Sequence, residues 1–498
     1  MTKVLIVGGG VAGLSAGAHL QMNGYETEIY EMHKIPGGLC TAWKRGEYTI
    51  DGCVHWWVNT NPQDPCYPIV NGLVDMDHFP RVTYEEFCTI EDKGTVLHFY
   101  SNLERFEEEL KRVCPQDGPI IEELIKGAKK IASIKIPADK APEVMNLWDR
   151  IRMIKSMATM GAMAKKWSQP IGEYVKKIKS PVLRKLLSCF PFYPQFPIFA
   201  FLMHASLFHN KNASYPIGGA QELINRLVHR YTSLGGKLFC NSKVEKVLVE
   251  NGTAKGLRLG NGISCAGDYV ISAADGHHTM SQLLDRQYVD KESQELYFTE
   301  KHVPKMSQLY ISLGVARTFN DSFKPVVYIP LQRPIKIGTI ETTHVLVTVR
   351  NFDPTLAPKG KTVLSMFIVA DNADYWVRLR NEKREAYEQE KMQIAKQMIE
   401  EVDAYFGNIK ENVEMIDVAT PASYIRYTNN WNGAPSGWQD FQLFVNPPKK
   451  QIKNLKNFFL CGQWLGDGGL TGSMKSGRDI AQIVCKKEGK KFKLASSS

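Results

Sequence analysis

Several familiar sequence signals are absent from this chain of 498 residues. No stretch is apolar for long enough to cross a bilayer as a helix, so a membrane-spanning protein is not expected. The ten cysteines include no CxxC pair, which indicates neither a zinc site nor a disulfide framework. No metal-ligand cluster and no spacing typical of a nucleophilic triad emerges either. We therefore expect no bound metal.

The expected lack of a signal peptide bears on the protein's location, and the smaller number of acidic than basic residues bears on its partners. The first predicted strand begins at residue 3 or 4, so we expect no signal peptide and, with unpaired cysteines, a reduced cytoplasmic protein. Acidic residues are fewer than basic ones, and the formal net charge is +10. Such an excess favours anionic partners, here an anionic membrane surface, and the alternative is a basic surface without such a partner. We expect no nucleic-acid partner.

The most informative stretch is the start of the chain. An apolar run at residues 4–7 predicts a buried strand that leads directly into a Gly-x-Gly-x-x-Gly turn and a helix. In such a turn the first glycine permits a tight bend, the second lets a pyrophosphate approach the backbone, and the third lets the helix lie close to the strand. The phosphates contact free N–H groups at the helix N-terminus. The cofactor-binding residues predicted here are Gly8, Gly10, Val11, Ala12 and Gly13.

An acidic residue follows the second predicted strand. Residues 27–30 form that strand and Glu31 ends it, about twenty residues after the glycine turn, where a dinucleotide-binding protein holds a ribose diol. A carboxylate at this position repels the 2′-phosphate of NADP. The bound nucleotide is therefore expected to carry a free ribose, and the alternative is an exposed carboxylate at a strand end.

A second glycine motif distinguishes FAD from NAD. Pro36-Gly37-Gly38 resembles the second glycine motif of the glutathione-reductase-like flavoproteins, in particular the amine oxidase and phytoene desaturase branch. The resemblance implies FAD and places Gly37, Gly38 and Leu39 at the cofactor. Much of that branch has an arginine after the glycine pair, where this chain has Leu39. No arginine–phosphate contact is therefore expected here.

The segment DGCVHW narrows the resemblance further. It is similar to the phytoene-desaturase-like subgroup that also contains retinol saturase and carotenoid isomerases. The resemblance implies that His55 and Trp56 lie near the flavin ring, and the alternative for His55 is a packed core residue. It also implies an adenine contact at Val244 and a flavin contact at the start of the last helix. The residues implied at the carboxyl-terminal end are Gly462, Asp467, Gly468, Leu470 and Thr471.

The predicted fold class is α/β. A Rossmann-like FAD-binding domain of the glutathione-reductase-like type comprises residues 1–78, 214–285 and 450–498, and it is interleaved with an α+β substrate domain. The substrate domain comprises residues 79–213 and 286–449. It contains basic amphipathic helices between residues 143 and 187, which either lie on a membrane surface or form one wall of an apolar cavity. The aromatic run at 189–208 is predicted to line a tunnel, with core packing as the alternative.

The resemblance implies an FAD-dependent oxidoreductase that desaturates, saturates or isomerises carbon–carbon bonds of a carotenoid, retinoid or similar lipid. Hydride passes to or from flavin N5, and His55 and Tyr424 are the candidates for the proton donor or acceptor. One alternative is an amine oxidase whose aromatic cage comprises Tyr424, Tyr427 and Trp431. Another is a flavin-binding protein that docks on membranes without turnover. The sequence determines neither the substrate nor the electron donor or acceptor.

Overall fold

The computed structural model of the chain describes residues 1–189, 196–319, 325–438, 443, 446–466 and 468–494. The strands of these residues are β1 Lys3–Val7, β2 Glu26–Tyr30, β3 Ala42–Arg45, β4 Tyr48–Asp51, β5 Trp57–Val58, β6 Arg81–Val82, β7 Glu86–Asp92, β8 Thr95–Tyr100, β9 Ala213–Pro216, β10 Lys237–Phe239, β11 Val244–Glu250, β12 Thr253–Leu259, β13 Ser264–Ala266, β14 Tyr269–Ser272, β15 Ser307–Val315, β16 Val326–Ile337, β17 Ile340–Val349, β18 Thr362–Ala370, β19 Val413–Ala419 and β20 Phe458–Leu460.

The α-helices pack against these strands or against one another. They are α1 Val11–Met22, α2 Tyr67–Val74, α3 Leu103–Val113, α4 Gly118–Ala132, α5 Leu147–Lys166, α6 Ile171–Tyr174, α7 Pro181–Cys189, α8 Ile198–His209, α9 Gly219–Ser233, α10 Gly276–His278, α11 Lys291–Phe298, α12 Ala373–Glu382, α13 Arg384–Phe406, α14 Pro421–Thr428 and α15 Gly469–Lys487.

A five-stranded parallel sheet brings together the start, the middle and the end of the chain. Its strand order is β10, β2, β1, β14, β20. The central strand β1 is buried on both faces, as the apolar run at residues 4–7 predicts. Because the carboxyl ends of parallel strands meet at one edge, the glycine turn after β1 and Glu31 after β2 lie beside the segments that follow β14 and β20. The predicted α/β fold is confirmed.

A second sheet of seven strands has the order β19, β15, β18, β17, β16, β7, β8. Its pairs are antiparallel except β16 with β7. Strands β7 and β8 come from the first half of the chain and the other five from residues 307–419, so two distant segments share one sheet. Every residue of β15 is buried. Helices α12 and α13 contribute Trp376, Ile394 and Met398 to the apolar core of this sheet.

The basic region between residues 143 and 187 forms three helices, because Pro170 and Pro181 interrupt it. The first of them, α5, has no buried residue, and its apolar side chains are open to solvent: Trp148 is 78% exposed and Ile154 66%. In the part of the chain that the structure describes, no helix combines the length and the apolar character needed to cross a membrane.

The aromatic run does not form the tunnel wall that the sequence predicts, as far as its residues are described. Residues 190–195 lie outside the described residues. Of the others, Phe199, Phe201 and Phe208 are buried in the largest apolar core. The cavity described below is lined in this region by Met203, His204 and Leu207 instead. The sequence cannot distinguish a phenylalanine in the core from one that lines a cavity, because both are apolar. The orientation of α8 about its own axis determines which side chains face the cavity.

Candidate functional site: a cavity between two glycine turns and an apolar wall

A cavity of about 930 Å³ lies at the carboxyl edge of the parallel sheet. It brings together most of the residues that the sequence predicts for the cofactor. Gly13 does not line it, and Asp467 lies outside the described residues. Tyr424 is also in the lining. The predicted cofactor residues that line the cavity are Gly8, Gly10, Val11, Ala12, Glu31, Gly37, Gly38, Leu39, His55, Trp56, Val244, Gly462, Gly468, Leu470 and Thr471.

The first glycine turn has the geometry that its motif requires. Gly8 has a φ of +98°, in the region that side chains other than glycine rarely adopt. A Cβ atom on Gly13 would overlap the carbonyl oxygen of Gly8, so Gly13 sets the close approach of α1 to β1 rather than contacting the cavity. A Cβ atom on Gly10 would have only the Gly37 carbonyl oxygen near it, at 3.8 Å. The backbone at Gly10 is therefore open to a ligand.

The second glycine turn closes over the first. The Gly37 amide donates a hydrogen bond to the carbonyl oxygen of Gly9 at 2.9 Å. Gly37 and Gly38 have φ values of +124° and +61°. A side chain on Gly37 would overlap the backbone of Cys40. The two turns thus form one cradle of bare backbone, which suits a pyrophosphate.

Glu31 is fixed beside this cradle. Its Oε2 accepts a hydrogen bond from the Gly9 amide at 2.8 Å, and its Oε1 accepts one from the His33 amide at 2.8 Å. Burial raises the pKa of Glu31, and the same backbone hydrogen bonds oppose that shift. The carboxylate therefore occupies one position at the end of β2, where a ribose diol is expected.

The start of α15 borders the cavity on another side. Gly468 is its N-cap, and the N–H groups of the first helical turn have no partner within the helix. The Thr471 hydroxyl is occupied: it accepts a hydrogen bond from Trp57 Nε1 at 3.0 Å and donates one to the Val58 carbonyl at 2.7 Å. Thr471 thus ties the helix start to β5, which follows His55 and Trp56.

His55 lies in the cavity wall as an uncharged ring. Its ring makes edge contacts with Tyr310 and Phe367, with centroids 6.0 and 5.5 Å away. Its Nδ1 atom is buried and has no hydrogen-bond partner among the described residues. Burial, with a smaller contribution from the charge of Arg350, lowers the pKa of His55 to about 3. The imidazole is therefore neutral at physiological pH and has an unused nitrogen.

Tyr424 lies in the same cavity on α14. Its Oη accepts a hydrogen bond from Gln308 Nε2 at 2.5 Å. Burial raises the pKa of Tyr424 well above its ordinary range, so the phenol keeps its proton. The amide of Gln308 satisfies the oxygen and leaves the O–H free to donate.

Two buried charged residues at the site were missed by sequence analysis. Asp275 follows β14, lines the cavity and accepts hydrogen bonds from the His278 and Trp431 amides at 2.7 and 2.9 Å. Burial raises its pKa to about 7, although these bonds oppose the shift. Its position after a parallel strand, like that of Glu31, was the available signal.

Arg350 is the other missed residue, and it anchors the segment that carries His55. Its Nη1 donates to the Val54 carbonyl at 2.9 Å. On the same segment, Asp51 Oδ1 accepts from the Cys53 and Val54 amides, both at 2.9 Å. Nothing in the sequence around Arg350 indicates this contact, because it joins positions nearly 300 residues apart.

The far end of the cavity is apolar with a polar rim. Asn212 joins part of that rim: its Nδ2 donates to Asp64 Oδ2 at 2.6 Å, and its Oδ1 accepts from the Asn61 amide at 3.1 Å. The apolar lining residues come from α4, α5, α8 and the segment after α4. They are Ile131, Ile134, Ile136, Pro137, Met160, Met203 and Leu207.

Comparison with known proteins identifies the family. The profile of the flavin containing amine oxidoreductases matches residues 11–485. The chain belongs to this family. It is an FAD-dependent oxidoreductase of the phytoene desaturase and retinol saturase type, which confirms the resemblance drawn from the glycine motifs and DGCVHW.

Relatives of the chain share about a quarter of its residues. A 4,4′-diapophytoene desaturase (4,4′-diapolycopene-forming) from Methylomonas sp is 23% identical, covering 98% of this chain and 96% of its own. An all-trans-retinol 13,14-reductase from Danio rerio is 22% identical over 96% and 85%. Prolycopene isomerase 1 from an Oncidium hybrid cultivar is 24% identical over 85% and 73%.

Solved structures share the fold. Cyclohexylamine oxidase from Brevibacterium oxydans IH-35A superposes with a TM-score of 0.62 at 13% identity, covering 98% of this chain and 100% of its own. An oxidoreductase from Methanosarcina mazei gives 0.59 at 17% identity, covering 96% and 100%. The cofactor of the family is FAD, and the bare-backbone cradle, the fixed Glu31 carboxylate and the unused His55 nitrogen fit it.

Proposed function

We propose that this FAD-dependent oxidoreductase desaturates, saturates or isomerises carbon–carbon bonds of a hydrophobic polyene or similar isoprenoid lipid. One observation carries the proposal: a single cavity joins the two glycine turns to a wall of aliphatic side chains. An extended apolar molecule can lie along that wall while a dinucleotide occupies the other end of the cavity. Relatives named for diapophytoene, prolycopene and all-trans-retinol support the same class of substrate.

The assignment of residues to the cofactor is part of this proposal. The two glycine turns and the start of α1 bind the pyrophosphate, and Glu31 binds the ribose diol. The backbone of Val244 contacts the adenine, and the start of α15 contacts the pyrimidine edge of the flavin. When bound, FAD supplies a hydride acceptor or donor at flavin N5. We also propose that residues 1–78, 214–285 and 450–498 form the FAD-binding domain, and that residues 79–213 and 286–449 form the substrate domain.

His55 and Tyr424 handle protons in this proposal, in different ways. Because the His55 ring is neutral and Nδ1 has no partner, it accepts a hydrogen bond, whereas burial, which lowers its pKa to about 3, makes it a weak proton acceptor. Tyr424 retains its proton and is the donor, and the amide of Gln308 stabilises the oxygen when the proton leaves. Desaturation would use the acceptor, whereas saturation and isomerisation would use the donor.

The proposal is tested by anaerobic titration of the purified, FAD-loaded protein. Partly saturated carotenoid precursors are added to the oxidised protein, and polyenes such as retinol or prolycopene are added to the dithionite-reduced protein. We expect bleaching of the visible flavin absorption in the first arm or a new polyene product by chromatography in the second. Bleaching by a primary amine, with no change from any isoprenoid in either arm, would contradict the proposal.

The aromatic cage that the amine oxidase alternative would use is not formed by the predicted residues. Its three aromatic residues do not form one cage, because Trp431 stacks on His277 with centroids 4.5 Å apart and does not line the cavity. Tyr427 does line it, but its ring packs edge-on against His33, two residues after Glu31. Tyr427 therefore lies near the end assigned to the nucleotide.

We also propose that α5 rests on an anionic membrane surface. Its exposed apolar side chains, Leu147, Trp148, Ile151 and Ile154, accompany basic ones, and Met160 of the same helix lines the cavity. Such a helix can lie in the interface without crossing it. A lipid substrate would then enter beside α5.

Vesicle flotation tests the membrane proposal. We expect the FAD-loaded protein to float with phosphatidylserine-containing vesicles, and expect the double variant Trp148→Ser/Ile154→Ser to remain in solution with an unchanged unfolding midpoint. The control is Met392→Ser, which removes a partly exposed apolar side chain from α13. Equal flotation of all three proteins would contradict the role of α5. If vesicle binding persists without FAD and no lipid is turned over, the docking protein without catalysis becomes the better description.

A further inference from the structure

Two cysteines face each other in the wall of the cavity. Strands β3 and β4 pair antiparallel with Ala42 opposite Asp51. The register continues beyond the strands, because the Gly52 amide donates to the Thr41 carbonyl at 3.1 Å. One residue beyond that bond on each strand lie Cys40 and Cys53, and their thiols are hydrogen-bonded to each other. The sequence spacing of these cysteines gives no hint of the pairing, which depends on the hairpin.

The register also fixes which kind of cross-strand pair this is. Thr41 and Gly52 share a backbone hydrogen bond, so the next pair outward is a non-hydrogen-bonded one. In such pairs the Cα atoms are about 4.5 Å apart and the side chains are at their closest. A disulfide needs Cα atoms about 4.4 to 6.8 Å apart. The separation typical of such a pair therefore falls within the range that a disulfide requires.

The surroundings of the two thiols differ. Both line the cavity. Cys40 is buried, and Cys53 is half-buried. Hydrogen bonding with the Cys53 thiol, together with burial, holds the pKa of Cys40 well above its ordinary range. Cys53, the more accessible of the two, is therefore the thiol that reacts first.

We propose that Cys40 and Cys53 form a reversible disulfide in the cavity wall, closed by low-molecular-weight disulfides of the glutathione type. The Cys53 thiolate attacks one sulfur of oxidised glutathione, a mixed disulfide forms, and one glutathione thiolate leaves. Cys40 then releases its proton to solvent and attacks the Cys53 sulfur, and the second glutathione leaves. Two protein thiols are oxidised to one disulfide while one glutathione disulfide is reduced to two thiols.

Closing this disulfide would fix the end of the hairpin next to the proposed proton-handling residue. Leu39 and Val54 flank the two cysteines and line the cavity, and His55 follows directly. The Cys53 amide is already held by Asp51 Oδ1, and the Cys40 amide by the Gly37 carbonyl at 3.0 Å. The new covalent bond would therefore join the second glycine turn to the segment that carries His55.

Peptide mapping of the full-length, FAD-loaded protein tests the proposal. The protein is treated with oxidised glutathione under non-denaturing conditions, remaining thiols are alkylated, and trypsin is added. Cleavage at Lys44 and Arg45 places Cys40 and Cys53 on different peptides. We expect these two peptides to be joined, with the loss of two hydrogen atoms, and to separate on treatment with dithiothreitol. A stable glutathione adduct on Cys53 beside an alkylated Cys40 would overturn the proposal.

Two variants locate the bond. Cys66 shares a tryptic peptide with Cys53 and also lines the cavity, so Cys66→Ser is the matched control. We expect the joined peptides to persist in Cys66→Ser and to disappear in Cys53→Ser. A second readout is the unfolding midpoint, which we expect oxidised glutathione to raise by a few degrees in the wild type and not in Cys53→Ser. If the joined peptides persist in Cys53→Ser, or if the wild type is not cross-linked at all, the pairing is wrong.

Discussion

The two ends of the cavity differ in what lines them: one is lined mainly by backbone and the other by apolar side chains. The end proposed for the nucleotide consists of backbone: Gly8, Gly13 and Gly37 stand where a side chain would be strained or would overlap a carbonyl group. The apolar end consists of side chains such as Met160 and Met203. These positions require no special backbone conformation. A backbone surface tolerates almost no substitution, whereas an apolar wall tolerates exchanges of similar volume. The first end therefore has a sequence motif and the second has none.

The largest effect is expected at the nucleotide end, from Gly13→Ala. The new methyl group would overlap the Gly8 carbonyl, so α1 must move away from β1. We expect a loss of about 3 kcal/mol in the free energy of unfolding, the upper range for overpacking, and loss of bound FAD. Denaturant unfolding and the flavin content after gel filtration measure both. The matched control is Gly161→Ala in α5, where a Cβ atom meets nothing within 4 Å. Equal behaviour of the two variants would remove the distinction between the ends.

Tyr424→Phe tests the proposed proton donor in the same cavity. It removes the hydroxyl that accepts from Gln308 and keeps the ring. We expect turnover of the isoprenoid substrate to fall about 100-fold, with FAD content unchanged, because a proton donor contributes at least that much. Tyr427→Phe, at the nucleotide side of the same cavity, is the control and should keep its turnover. A rate equal to that of wild type would show that Tyr424 only packs.

Glu31→Gln tests whether a side chain matters at the backbone end. A Gln side chain cannot accept hydrogen bonds with both terminal atoms, so it loses the Gly9 or the His33 amide as well as the charge. We expect FAD to bind about 30-fold more weakly, equivalent to ~2 kcal/mol for hydrogen bonds to a charged group. Fluorescence titration of the apoprotein gives the dissociation constant. In the control Glu28→Gln, the altered carboxylate pairs with Lys3 and Tyr30, and FAD affinity should be unchanged.

Asp275→Asn tests a titrating group in the cavity wall. Because the folded-state pKa is raised to about 7, the folded protein holds a proton that the unfolded chain releases near pH 4. This contribution to stability is fully present below pH 4 and is lost as the pH rises to about 7. Relative to Asp275→Asn, the wild type should lose up to about 1.4 kcal/mol per pH unit in that window. Unfolding midpoints of both proteins from pH 4 to 8 check this, and parallel curves would contradict it.

The smallest effect is expected at the apolar end, from Met203→Leu. The exchange nearly conserves volume, so we expect a change in the free energy of unfolding of less than about 1.5 kcal/mol and full FAD content. Met203→Lys, which places a charge against the same wall, serves as the contrasting variant. It should abolish binding of the isoprenoid substrate and leave FAD bound. If Met203→Leu instead releases FAD, the apolar end is as demanding as the glycine end, and the comparison fails.

How much of the site the sequence could predict depends on how local each requirement is. Glu31 and the glycines are predicted because a strand, a turn and a helix that adjoin in sequence define their roles. Arg350 could not be predicted, since its contact with Val54 exists only after β17 and the segment after β4 meet. Gln308 was missed for the same reason, because only the position of α14 brings Tyr424 to β15.

The predictions for the substrate region were less successful because composition does not set orientation. The basic region was expected as amphipathic helix; α5 is a basic helix without a buried face, and two prolines divide the rest into shorter helices. In the aromatic run, the described phenylalanines face the core and Met203 faces the cavity. Both outcomes satisfy the same apolar pattern, and the packing of α8 against α4 selected one.

The sequence by itself determined that this chain holds a dinucleotide with a free ribose, and the family resemblance made that dinucleotide FAD. These conclusions rest on steric requirements of glycine and on the position of one carboxylate, which short segments specify completely. The tertiary structure alone decided which side chains share the cavity with the cofactor residues. It made His55 neutral, kept the proton on Tyr424 and brought the Cys40 and Cys53 thiols together, because burial, neighbouring charge and side-chain contact arise only when separate segments pack.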